Sequence, residues 1–106
     1  MAQTQNQLGL KVAQDYLAAL ERAGIKVQQA FLYGSRVKNL AREDSDFDIA
    51  IVSDALTDSA FENRLILRAV RRPINLLIDP VGFKPSRFEA WHPFVQEILA
   101  TGIKIA

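Results

Sequence analysis

The chain contains no cysteine and a single histidine. The first absence excludes disulfides and thiolate metal sites. The histidine, His92, precedes a proline in an expected turn with no second ligand or nucleophile near it in sequence, and reads as a surface residue. Charge of one sign is also scarce in excess: 13 Lys and Arg against 12 Asp and Glu leave a formal net charge of +1. That is no broad basic field, so composition makes no case for a nucleic-acid-binding module. No run approaches the eighteen consecutive apolar residues of a membrane span. The first residues, Met1-Ala-Gln-Thr-Gln-Asn-Gln, lack a positive region followed by an apolar stretch, so no signal peptide is expected. A soluble, cytoplasmic protein follows as the simplest expectation. Repeats, linkers and low-complexity segments are missing as well.

What is present suits one domain over residues 1–106, with 49% apolar and 24% charged residues. Apolar residues at Leu8, Val12, Ala13, Tyr16, Leu17 and Leu20 predict a helix over Thr4–Ala23, with Thr4 and Gln7 as a capping box and Gly24 just past its end. Val27–Tyr33 and Asp46–Val52 read as strands. A second helix is expected from Ser59 to Arg71, capped by Ser59 and Glu62, with Phe61, Leu65, Ile66, Ala69 and Val70 as its apolar stripe and Pro73 as its stop. Ile74–Asp79 reads as a third buried strand broken by Pro80. A short helix near Pro85-Ser86, a longer one over Pro93–Thr101 closed by Gly102, and an edge strand Ile103–Ile105 complete the chain. Trp91, Phe88 and Phe94 are expected to pack this last segment onto the sheet. The fold class is α/β (α+β), a small mixed sheet flanked by helices.

The chemistry concentrates in Phe31-Leu-Tyr-Gly-Ser-Arg36 and Asp46-Phe-Asp-Ile-Ala-Ile-Val52. Gly34 permits a sharp turn after the first strand. Ser35 then offers its hydroxyl and neighbouring backbone N–H groups to a phosphate, and Arg36 can add a two-pronged guanidinium. Asp46 and Asp48 stand at i and i+2 of a strand, so both leave the same face, their Cα atoms ~6.6 Å apart at ~3.3 Å rise per residue. Two carboxylates so placed can converge on a hard divalent cation or a pair of them. The small Ala50 on that face is expected to leave room for a ligand.

Gly34-Ser35, ten intervening residues, then Asp46-Phe47-Asp48 resembles the signature of the DNA polymerase β-like nucleotidyltransferase superfamily. The short chain is similar to its minimal nucleotidyltransferase (MNT) group, whose members often act as antitoxins beside HEPN toxins. The resemblance implies a nucleotidyltransferase fold and metal-dependent transfer of a nucleoside monophosphate from ATP or another NTP to a hydroxyl, on a partner protein such as a HEPN-like toxin. It implies two Mg²⁺ ions on three carboxylates, with Asp46 and Asp48 as catalytic metal ligands and Gly34, Ser35 and Arg36 at the nucleotide. The third carboxylate of the family falls here on Asn75, whose neutral oxygen ligates weakly and cannot act as a base. Asp79, at i+4 on the same strand face, would lie ~13 Å further along at ~3.3 Å per residue. Weakened metal binding is therefore expected. The alternative it favours is a catalytically weak or inactive antitoxin, or pseudoenzyme, that acts by binding its partner.

Overall fold

The computed structural model describes residues 5–34, 37 and 45–106. Among them, the order is α1 (Gln5–Arg22), β1 (Gln29–Tyr33), β2 (Phe47–Val52), α2 (Ala60–Arg71), β3 (Ile78–Phe83), a 3₁₀ turn (Pro85–Arg87), α3 (Pro93–Thr101) and β4 (Ile103–Lys104). The strands form one mixed sheet in the order β3-β2-β1-β4, with β2 and β3 parallel and the other pairs antiparallel. Fold class and most element positions agree with the sequence.

Helix α1 buries Val12, Ala13, Tyr16, Ala19 and Leu20, the face its periodicity predicts. Gly24, at φ +86°, ends it. The amide of Ile25 donates to the carbonyl of Leu20 (2.9 Å) and that of Gly24 to Glu21 (3.0 Å), a Schellman closure that satisfies the last carbonyls. One sheet face carries Ala30, Leu32, Phe47, Ile49, Ile51 and Ile78, which form the main core with α1 and Leu67 of α2. Tyr16 fastens the two helices by donating its hydroxyl to the Leu67 carbonyl at 2.6 Å.

Helix α2 starts where expected, Ser59 accepting from the Glu62 amide at 3.1 Å, but it is rotated from the expected stripe. Phe61 and Leu65 are 72% and 54% exposed, Ile66 and Ala69 are also exposed, and the buried positions are Asn63 and Leu67. The cause is a polar residue on the inner face. Asn63 accepts from the Thr57 amide (2.7 Å) and donates to the carbonyls of Thr57 (2.9 Å) and Gly82 (3.3 Å), so it is buried with its polar atoms bonded. Gly82 allows this approach: a Cβ there would lie 2.7 Å from Leu56 and 2.8 Å from Leu67.

The third strand is displaced from its expected place. It runs Ile78–Phe83 with Pro80 inside it, not Ile74–Asp79 ending before Pro80. Phe47 N donates to Leu77 O and Ser53 N to Phe83 O, so odd-numbered residues of β3 bond β2 and the nitrogen of Pro80 faces outward on an edge strand, where a missing donor costs nothing. Side chains of α2 close the same edge: Arg71 donates to the Ile78 carbonyl at 2.7 Å and Asn63 to that of Gly82.

The opposite sheet face is aromatic over part of its area. Phe31 stacks on Phe88 (centroids 5.5 Å apart), Phe83 meets Phe88 edge-on (5.2 Å), and Tyr33 meets Phe94 edge-on (5.7 Å). Ala50 is fully buried among these rings, so the room left by its small side chain is filled by the protein itself. Trp91 does not pack onto the sheet; it is 71% exposed and its indole N–H donates to Glu89. No described helix is long and apolar enough to cross a membrane.

Candidate active site

Alternation along β2 sends Phe47, Ile49 and Ile51 into the core and leaves Asp48 on the other face. The registers then set its neighbours. Tyr33 of β1 lies opposite Asp48, and on the other side Asp48 pairs with Asp79 of β3. Tyr33, Asp48 and Asp79 thus form one row across three strands, side chains on a common face. Asp46, just before β2, is exposed, and its charge reaches Asp48. This row corrects the sequence reading at its weakest point. The acid that stands beside Asp48 is Asp79, which the four-residue shift of β3 carries to the position opposite it. Asn75 lies outside the strand in the turn after α2, where its side-chain oxygen accepts from the Leu77 amide at 2.8 Å. It shapes the approach to β3 and takes no place in the row.

Gly34 closes the row on the β1 side. Its φ is +80°, a conformation that L-residues with a Cβ avoid. A Cβ added there would lie 2.1 Å from Asp48 Oδ2. The turn after β1 and the carboxylate of Asp48 are therefore in direct contact, as the spacing of the two motifs requires. Ser35 and Arg36 lie outside the described residues.

Electrostatics mark the row as a place that favours positive charge. Burial, then the charges of Asp79 and Asp46, raise the Asp48 pKa from 3.8 to about 6. Burial, followed by Asp48 and Asp79, also pushes the Tyr33 phenol well above its usual range, so it stays protonated as a potential donor. Asp79 is drawn toward α2, where Arg64 Nη2 lies 3.4 Å and Arg68 Nη2 3.9 Å from its Oδ1. Among the described residues, no three acidic or histidine side chains converge closely enough to hold a metal ion as they stand. The donor set nonetheless fits a hard divalent cation: oxygen ligands only, from Asp46, Asp48 and Asp79, with Asp48 made more basic by burial first and by the neighbouring acids second. Tyr33, Arg64 and Arg68 were not foreseen, because only the register and the rotation of α2 bring them to the row; the i, i+4 spacing of the two arginines was their one sequence trace.

A glycine turn pressed against paired carboxylates on one end of a small mixed sheet, helices behind it, defines a nucleotidyltransferase-type α/β domain. The family model described as "Polymerase beta, Nucleotidyltransferase" matches residues 16–106, and the chain belongs to that family. No curated protein matches the chain.

Proposed function

We propose that the protein transfers a nucleoside monophosphate from ATP or another NTP to a hydroxyl, with Asp46, Asp48 and Asp79 holding Mg²⁺ and the turn at Gly34 receiving the phosphates. One observation carries the reading: Asp48 is flanked on its own row by Asp79 and touched from the other side by the Gly34 turn. When bound, divalent ions would supply neutralisation of the charge on the attacking and leaving oxygens. The chain's own contribution is position. Asp79, on the side away from Gly34, is the group to accept the acceptor's proton as its oxygen bonds to the α-phosphorus. The bond to pyrophosphate breaks in line, with the triphosphate tail toward Gly34, which Ser35 and Arg36 follow in sequence. Asn75, the ground for expecting weak metal binding, bears no ligand role in this scheme.

The acceptor we favour is a hydroxyl on a partner protein, such as a HEPN-type toxin of the kind that accompanies the minimal nucleotidyltransferase group. The test is incubation with α-labelled NTPs, Mg²⁺ and the neighbouring gene product. Label transfer that vanishes in Asp48→Asn and Asp79→Asn but survives in Asn75→Ala is expected; transfer indifferent to Asp79 would refute the scheme. A second reading, masking of a partner without catalysis, is favoured by Phe61 and Leu65 standing exposed one turn apart on α2. Under it, Phe61→Asp abolishes neutralisation while Asp46→Ala with Asp48→Ala leaves it intact.

A further inference from the structure

Beyond Asp79, the next residue on the same face of β3 is Val81, ~6.6 Å further along at ~3.3 Å per residue. Val81 borders two adjoining hollows that share it and Ala60. The smaller, about 330 Å³, reaches Phe61 and Arg64, and Arg64 is the residue paired with Asp79. The larger, about 410 Å³, extends past Phe83 and Phe94 to Lys84, Arg87 and His92. The two hollows meet at Ala60 and Val81, the smaller bordered by the arginine that pairs with Asp79, the larger with aromatic walls and a cationic end and in the size range of small-molecule sites. This double cavity lies on the β3 side of the row, whereas Gly34 and the phosphate turn lie on the β1 side.

We infer that this cavity is the acceptor site, and that it takes a hydroxyl-bearing ring that also carries an anionic group. The inference rests on the nucleotidyltransferase reading and adds the acceptor's place and chemical class. Location follows from the row: with the triphosphate at Gly34, an acceptor must reach Asp79 from the opposite side, where Val81, next on that face, and Arg64, paired with Asp79, border the hollows. Class follows from the lining. Val81, Phe83 and Phe94 present apolar and aromatic surface suited to a planar ring. Lys84 and Arg87 bring two cations against one acid, Asp58, which lies 3.2 Å from Arg87 Nε. His92 Nδ1 accepts from the Phe94 amide at 3.2 Å, which leaves Nε2 to carry the ring proton and donate it. A cationic ring would meet Lys84 and Arg87 as like charges, and a bare anion would leave the aromatic walls unused.

The experiment titrates the full chain with 4-hydroxyphenyl phosphate, phenol and tyramine, followed by ligand-observed NMR and calorimetry, with Mn²⁺–ATP binding measured in parallel. The same phenol on a short peptide between two glutamates separates a protein-borne acceptor from a free one; tighter binding of either form supports the site. The phosphate probe should bind at least about tenfold more tightly than phenol, the scale of a charge-assisted contact, and tyramine least. Lys84→Glu with Arg87→Glu should remove that advantage. Ala60→Trp, an exposed position on the rim, should block every probe, and circular dichroism confirms that both variants fold. Equal binding of phosphate probe and tyramine, or binding unchanged by Ala60→Trp, overturns the inference. Asp46→Asn with Asp48→Asn should lose Mn²⁺–ATP and keep the probe. ATP binding without probe binding sinks the acceptor site alone. Probe binding without any ATP binding sinks the nucleotidyltransferase reading, and the acceptor assignment with it.

Discussion

The two faces of the sheet are built from alternate residues of the same strands, yet they solve opposite problems. On the α1 and α2 side, Leu32, Phe47, Ile49, Ile51 and Ile78 are almost wholly removed from water, and the polar groups there, such as Asn63 and the Tyr16 hydroxyl, are bonded to backbone. On the other side, Asp48 is kept half-buried beside two further acids and gains from them only repulsion. A fold selected for stability alone would not gather three acids at one end of its sheet. The first face supplies the free energy that allows the second to hold like charges together, the usual location of strain at a working site.

The comparison is broken most severely by removing a member of the acidic row. Asp79→Asn should cut nucleotidyl transfer by about a hundredfold or more, the scale of losing one charge-stabilising group at a reacting centre, while leaving the thermal midpoint nearly unchanged; a labelled-nucleotide assay alongside a melting curve reads both. Next in size is a contrast within α2. Leu67→Ala, in the apolar core, should destabilise by about 3 kcal/mol. Leu65→Ala, two residues away and exposed, should stay within about 0.5 kcal/mol. Urea titration of the two variants decides whether the rotation of α2 is right.

The acidic row also has a pH signature. Asp48 binds its proton more tightly folded than unfolded, so between pH 4 and 6 the folded chain holds more protons and stability falls as pH rises. Asp48→Asn removes that penalty. The variant should be more stable than the parent above pH 6, by on the order of 2 kcal/mol once its partial contact with water is allowed for, and the gain should vanish below pH 4. A gain that is the same at pH 4 and pH 8 would mean that charge is not the cause. The smallest effect belongs to Asn75: Asn75→Ala loses one turn hydrogen bond, about 1 kcal/mol, and should leave metal binding untouched.

Much of this arrangement was readable in the residues because it depends on local period and spacing. Alternation alone places Asp48 opposite in sense to Phe47 and Ile49, and the expected approach of the turn after β1 to the acids is seen where Gly34 meets Asp48. Three features were not readable, each for a tertiary reason. Ile74-Asn-Leu-Leu-Ile looks like a buried strand and Pro80 like its end, because nothing local says that β3 is an edge strand whose outward nitrogens need no partner. The inner face of α2 is pinned by Asn63, a polar residue that a hydrophobic stripe assigns to the surface. Ala50 promises space only until the rings of Phe88 and Phe94, some forty residues later in the chain, fill it. The first of these put Asn75 beside Asp48 and left Asp79 outside the row.

Calorimetric titration of Mn²⁺–ATP into the parent chain, Asp79→Asn and Asn75→Asp is the most direct measurement of whether the acid on β3 completes the row. Binding weakened at least about tenfold by Asp79→Asn and unaltered by Asn75→Asp is the result this account requires. Binding indifferent to Asp79 and strengthened by a carboxylate at position 75 would contradict it.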